Sequence, residues 1–253
     1  MLKLYHAEPG ANSLKCLIPL KEKGLAFESV YVDLHKFEQH EPAFLALNPE
    51  GQVPVLDHDG IVVTHSSVIN EYLEDAFPAA QALRPADPAG KARMRYWNKF
   101  IDEHVMNYVS MHGWHRFIGV LARAIEQGHF DRMVERIPLH EQREKWRTAR
   151  SGFSEADLAN AKRKVAVAVD KVEDQLSRTA WLAGDAFTLA DINFFSHCGL
   201  YVARMFPDLT DAQKHPRLEE WRNRMSERAG VKAALAMPDR TNPALRTFTG
   251  EVH

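Results

Sequence analysis

Two short stretches hold the residues best placed to do chemistry: Pro9-Gly-Ala-Asn-Ser-Leu14 and Asn48-Pro-Glu-Gly-Gln-Val-Pro-Val-Leu56. In the first, Asn12 and Ser13 stand directly before Leu14, Leu17, Ile18 and Leu20, which repeat at helical spacing. An amide and a hydroxyl therefore sit where a helix begins, as N-caps or as ligand contacts. Helix starts expose unpaired N–H groups and the positive end of the dipole, so they favour anions. Ser66, ahead of Ile69, Tyr72 and Leu73 and preceded by His65, repeats the arrangement. In the second stretch Pro54 lies among Val53, Val55 and Leu56. Proline has no N–H for a sheet ladder and belongs at an edge, a strand start or a bulge. A cis Val53–Pro54 bond would turn the chain sharply and leave the Val53 N–H and C=O for a short extended peptide to dock as an added strand. A trans proline opening an ordinary edge strand is the other reading.

The elements that must position these residues follow from pattern. Leu2–His6 reads as a strand broken by Pro9-Gly10, and the helix after Asn12 and Ser13 ends at Lys23-Gly24. Phe27–Val32 alternates as a second strand; Val53–Asp57 and Ile61–Thr64 flank the turn His58-Asp59-Gly60. Ser66 caps a helix through Ile69, Tyr72 and Leu73 toward Phe77. The order βαβ, a short link, then ββα is that of a thioredoxin-like domain, assigned to residues 1–78. The proline-rich 79–88 is a linker, and 89–253 is expected to be all helical, giving an α/β plus all-α chain. Amphipathic stretches run over 89–125 and 155–177. Thr188-Leu-Ala-Asp191 fits a capping box, read as a folding device with Asp191 buried against backbone N–H groups. Residues 118–154, interrupted by Gly128, Pro138 and Gly152, form an inserted segment, either a surface elaboration or a lid over a bulky substrate. Residues 238–253 read as an extended tail.

Composition narrows the class. At 253 residues and 45% hydrophobic content the chain can bury one large core or two smaller ones. A net charge of −2 gives no footprint for nucleic acid or an anionic membrane. No apolar run approaches the roughly 20 residues of a membrane helix, and polar breaks near the start exclude a signal peptide. Cys16 and Cys198 form no metal or redox motif, so no metal is expected and a reducing cytoplasm is the expected location.

Residues 1–78 resemble the N-terminal domain of the cytosolic glutathione transferases, through Gly51-Gln-Val-Pro54 and Ser66. Within that superfamily the chain is most similar to the bacterial β-etherases, which cleave aryl ethers derived from lignin. The narrower likeness rests on Pro9-Gly-Ala-Asn-Ser-Leu-Lys15, Glu22-Lys-Gly-Leu25, Lys36-Phe-Glu-Gln-His40, Val62-Val-Thr64, Glu71-Tyr-Leu-Glu-Asp75 and Leu83-Arg-Pro-Ala-Asp-Pro88. It continues more loosely through Trp97, Asp102-Glu103, Gly113-Trp114 and Lys145-Trp-Arg147. The resemblance implies glutathione as co-substrate, bound by Gln52, Val53, Pro54, His65 and Ser66, with Gln39 and His40 near the glycyl carboxylate. It also implies a two-fold homodimer. His65 departs from the family, which usually carries Glu or Gln there; a neutral imidazole cannot pair with the ligand's ammonium as a carboxylate would. Asn12 occupies the position where related beta-class enzymes carry cysteine, and an amide cannot form a mixed disulfide. Tyr5, a thiol partner in other classes, reads here as a strand residue.

The implied chemistry is nucleophilic attack by a thiolate. Lowering the thiol pKa by about two units favours the anion by roughly 2.7 kcal/mol. A helix N-terminus supplies about 1–2 kcal/mol and one hydroxyl hydrogen bond a comparable amount. Ser13, or else Asn12, is the expected thiolate contact. The acceptor pocket is expected to be aromatic and to lie between the domains, with Tyr108, Met111, His112, Trp114, His115, Phe117 and Trp146 as candidates. His112, Trp114 and His115 do not share one face, so only part of the set can line it. In a β-etherase the thiolate displaces a phenolate from the carbon beside a benzylic ketone. Another glutathione transferase, a dehalogenase or a non-catalytic binding module of the same fold would share the first domain, and His65 is the feature that favours the last.

Overall fold

The computed structural model describes residues 1–7, 11–238 and 240. The Pro9-Gly10 break, and the tail apart from residues 238 and 240, lie outside them.

Strand β1 (Leu2–His6) leads into helix α1 (Ala11–Glu22) and returns to β2 (Phe27–Tyr31), parallel to β1 with Leu2 opposite Phe27 and His6 opposite Tyr31. Asn12 and Ser13 fall in the first turn of α1 rather than before it. The helix buries Leu14, Leu17, Ile18 and Leu20, and ends where Gly24, at φ 64°, lets the Leu25 N–H donate to the Leu20 carbonyl at 2.9 Å. Two 3₁₀ turns, Leu34–Lys36 and Glu38–His40, and helix α2 (Pro42–Leu45) make the link. Strands β3 (Val55–His58) and β4 (Ile61–Thr64) complete a sheet of order β2-β1-β3-β4, with β3 antiparallel to both neighbours. Strand β3 starts two residues later than the pattern predicts, because Val53 and Pro54 stand outside the ladder. The Val53–Pro54 bond is cis. Helix α3 (Ser66–Ala76) begins at Ser66, and His65, at φ 63°, occupies the cap position with no side-chain cap bond; the serine is therefore the first helical residue, not the cap.

The rest is helical. Helices α4 (Pro88–Phe100), α5 (Met106–Gly113) and α6 (Gly119–Ala124) form one run joined by π turns at Ile101–Val105 and Trp114–Ile118. Helices α7 (Gln127–Glu135), α8 (His140–Ser151) and α9 (Glu155–Leu176) follow. Helix α10 (Leu189–Phe194) runs through a π turn at Phe195–Gly199 into α11 (Tyr201–Met205), before α12 (Pro216–Glu227) and α13 (Ala229–Leu235). One buried core joins Leu14, Leu17 and Ile69 of the first domain to Met94, Ile101, Val165, Phe195 and Trp221 of the second. The Thr188–Asp191 capping box is present. Buried Asp191 accepts from the N–H groups of Leu182 and Thr188 and from Trp221 Nε1, each at 3.0 Å.

Residues 118–154 build a smaller core of their own from Ala122, Phe130, Val134, Ile137 and Trp146, closed by Phe37 of the first domain. The Phe37 and Trp146 rings lie 4.9 Å apart, and Arg136 donates to Glu41 at 2.6 Å. The segment thus clasps the link that carries Gln39 and His40.

Candidate active site at the domain junction

A cleft of about 200 Å³ opens between the starts of α1 and α3, the bend before β3 and the π turn that precedes α5. Asn48 shapes the bend: its Nδ2 donates to the Gln52 carbonyl at 2.8 Å, its Oδ1 accepts from the Glu50 N–H at 3.1 Å, and its carbonyl accepts from the Gly51 N–H at 2.9 Å. Gly51 has φ 64°, and a Cβ there would stand 2.6 Å from His40 Cδ2, so only glycine fits. Gln52, Val53 and Pro54 then form one wall of the cleft, and the Val53 N–H and C=O make no hydrogen bond among the described residues. That is the free strand edge an extended peptide needs.

Asn12, His65, Ser66 and Ser67 form the opposite wall. Asn12 Oδ1 lies 3.2 Å from Ser66 Oγ and 3.1 Å from Nε2 of His197, a buried residue on the π turn after α10. Ser13 is buried just behind, off the cleft wall; its Oγ accepts from the Ala7 N–H at 3.2 Å, and its own hydrogen is uncommitted among the described residues. His65 is exposed, with Nε2 3.4 Å from Glu50 Oε2, and both residues line the cleft.

The floor is ionic. Lys15, 2% exposed, donates to Asp102 Oδ1 at 2.7 Å and to Ser67 Oγ at 2.5 Å; Ser67 hydrogen-bonds Asp102, and Asn193 Nδ2 donates to it at 3.0 Å. Burial alone would raise the Asp102 pKa, but the Lys15 ammonium and the hydrogen bonds from Ser67 and Asn193 hold it below the ordinary carboxylate range. Burial lowers the Lys15 pKa, and Asp102 opposes that.

The structure gathers Asn12, Gln52, Val53, Pro54, His65 and Ser66 at one cleft. Gln39 and His40 are buried beneath the bend, where Gln39 Oε1 and His40 Nδ1 have no partner among the described residues. The expected acceptor residues lie elsewhere. His112 bonds the Leu158 carbonyl at 2.9 Å and meets Phe206 edge-on, Tyr108 packs on the main core, and His115 faces Phe153. Trp146 is spent on the small core against Phe37, and Met111 is not on the cleft wall. The reason is helical phase: Met106 turns toward the cleft, whereas Tyr108 and Met111 are rotated away from it. Asp102, Met106 and Glu50, which the sequence does not mark as site residues, also line the cleft, and His197 backs it through Asn12. Asp102 and Met106 stand four residues apart, a spacing that would have paired them on one face.

Family models agree with this layout. The model for the glutathione S-transferase N-terminal domain matches residues 1–75, and that for the C-terminal domain matches residues 122–229. The chain belongs to the glutathione S-transferase family. It is 46% identical over 235 residues to Protein LigF of Sphingobium sp. (strain SYK-6), covering 91% of each chain. The crystal structure of beta-etherase LigF from that strain superposes with a TM-score of 0.89 at 44% identity, covering 92% of this transferase and 98% of that chain. Glutathione S-transferase 3 of Zea mays is 29% identical over 244 residues, 93% of each. Burial pushes the Cys16 thiol up to about 12, and Cys198 is raised by the same cause. Neither cysteine is therefore a reactive thiol, and glutathione is the co-substrate of the family to which the chain belongs.

Proposed function

We propose that this transferase is a β-etherase, in which glutathione displaces a phenolate from a lignin-derived β-aryl ether ketone. The single observation that carries the reading is the cleft itself, where a free strand edge at Val53 faces two helix starts and an apolar side chain, Met106, closes the far side. The likeness to LigF over nearly the whole chain supports the choice of acceptor.

In this reading the cysteinyl backbone of glutathione pairs with Val53. The γ-glutamyl carboxylate sits on Ser66 at the start of α3, and Glu50 faces the ligand's ammonium. The glycyl end points toward the Gln39–His40 link. The thiolate rests at the mouth of α1, where the uncommitted Ser13 hydroxyl and the helix N-terminus favour the anion, and Asn12 touches the tripeptide beside it. The sulfur attacks the carbon bearing the aryloxy group: a C–S bond forms, the C–O bond breaks, and its electron pair leaves as phenolate. The neighbouring ketone activates that carbon. The acceptor ring lies along Met106. A homodimer in the cytoplasm, acting in lignin breakdown, completes the proposal; exposed Ile61, Val62 and Val68 on β4 and α3 offer apolar surface for a second copy.

Retention on immobilised glutathione together with glutathione-dependent release of guaiacol from a guaiacyl β-aryl ether ketone is the expected result. Retention without release would replace the β-etherase with another transferase or a dehalogenase. Loss of both would leave a binding module that uses this fold without chemistry.

A further inference from the structure

His197 is a buried histidine from the helical domain that reaches the cleft wall of the other domain. Its Nδ1 lies 3.0 Å from the Asn193 carbonyl and its Nε2 lies 3.1 Å from the Asn12 amide. Burial, reinforced by the nearby Lys15 ammonium, pushes its pKa down to about 4, so the ring is neutral at neutral pH. A neutral imidazole has one N–H. The Asn193 carbonyl can only accept, so that hydrogen is on Nδ1, and Nε2 carries a lone pair. A lone pair needs a donor. The Asn12 amide can turn over about its last bond and exchange its nitrogen and oxygen without moving either position. The end that meets Nε2 is then the NH₂ group. Its second hydrogen points at Ser66 Oγ, 3.2 Å away.

We infer that His197 is a positioning residue for the carboxylate subsite at Ser66: it turns the Asn12 NH₂ group toward the serine, and so leaves the serine hydroxyl hydrogen for an anionic ligand. The chain of donors runs Nδ1–H to the Asn193 carbonyl, Asn12 N–H to Nε2, Asn12 N–H to Ser66 Oγ, and Ser66 O–H into the cleft. With the imidazole hydrogen on Nε2 instead, Asn12 would present its carbonyl, the serine would spend its hydrogen there, and an oxygen lone pair would face the carboxylate. The same orientation turns the Asn12 carbonyl away from His197 and Ser66, as an acceptor for a donor group of the ligand. The inference rests on the proposal that glutathione's γ-glutamyl carboxylate occupies this subsite.

Two measurements test it. In the free protein, long-range ¹H–¹⁵N correlation should find His197 as the Nδ1–H tautomer, independently of any ligand. The Nε2–H tautomer would overturn the inference even if glutathione binds as proposed. By calorimetry, His197→Phe should weaken glutathione binding about tenfold, the weight of one hydrogen bond to a charged group, and raise KM while leaving kcat within about twofold. His197→Gln, whose side-chain carbonyl can take the place of Nε2, should recover most of the affinity. A glutathione analogue lacking the γ-glutamyl α-carboxylate should bind wild type and His197→Phe alike. Equal loss for glutathione and the analogue, or no loss at all in a folded His197→Phe protein, would overturn it. Should His197→Phe not fold, the tautomer measurement on the wild type still decides.

Discussion

Lys15 of the first helix and Asp102 of the helical domain meet at 2.7 Å, joined by Ser67 and Asn193 into one part-buried network at the cleft floor that crosses the domain junction. Each charge is there because the other is, and removing one strands its partner in a poorly solvated place.

Asp102→Asn is therefore expected to cost about 2–3 kcal/mol of stability in urea unfolding, and Lys15→Met a similar amount, since Lys15 is nearly fully covered. The double variant Lys15→Met/Asp102→Leu should recover much of the loss. Simple addition of the two single losses would show that the pair does not act as a unit. Because the Asp102 pKa is depressed in the fold, its contribution is present above the unfolded carboxylate value near 4 and fades as pH falls through the folded value.

A second acid-sensitive group acts at higher pH. His197 has its pKa lowered from 6.5 to about 4 in the folded chain, so the unfolded chain binds more protons between those values. The contribution of this residue is nearly complete above 6.5 and declines as pH falls toward 4. At pH 5 the loss from this residue should be about 2 kcal/mol relative to pH 7, by 1.36 kcal/mol per unit. The His197→Phe variant should lack that part of the decline; an unchanged difference between pH 7 and pH 5 in the variant would assign the decline to other groups.

The first domain was largely legible in the sequence because its rules are local. Period-two apolar runs, Gly24 after Lys23 and the Asp59-Gly60 turn each specify their own geometry, and their strands and turns fall within a residue or two of where the pattern places them. The Thr188–Asp191 box was legible for the same reason. The far wall of the cleft was not. Whether residue 106 or 111 faces the first domain depends on helical phase across a π turn, and the extra residue in that turn rotates everything after it. His197 sits on another π turn, and nothing near it in sequence points to Asn12, 185 positions away.

Ser13 gives a prediction about chemistry rather than folding. In the proposed site its hydroxyl is one of several groups that favour the thiolate, beside the helix start and backbone N–H groups, so Ser13→Ala should lower kcat/KM about tenfold and raise the pKa of bound glutathione by about one unit. Thiolate absorbance followed across pH reads the second quantity directly. Complete loss of turnover in a folded Ser13→Ala protein would mean that the serine does more than stabilise the anion.

Trp146 separates a packing role from a recognition role. It is 7% exposed and held between Phe37 at 4.9 Å and Trp114 at 5.2 Å, so its ring joins residues 118–154 to the link that carries Gln39 and His40. Truncation to alanine removes a large buried aromatic from a small core, and a loss of about 3 kcal/mol is expected. The affected region should be the contact between α7–α8 and residues 37–41, visible as faster amide exchange there. Glutathione KM should rise as the Phe37–His40 turn loosens, whereas the ratio of kcat/KM between two aryl ether ketones with different ring substituents should stay the same, because the ring is not on the cleft wall. Met106→Ala should do the reverse, shifting that ratio while leaving glutathione KM near its starting value. If Trp146→Ala changes acceptor preference and Met106→Ala does not, the acceptor lies against the inserted segment, and the wall of the cleft has been assigned to the wrong helix.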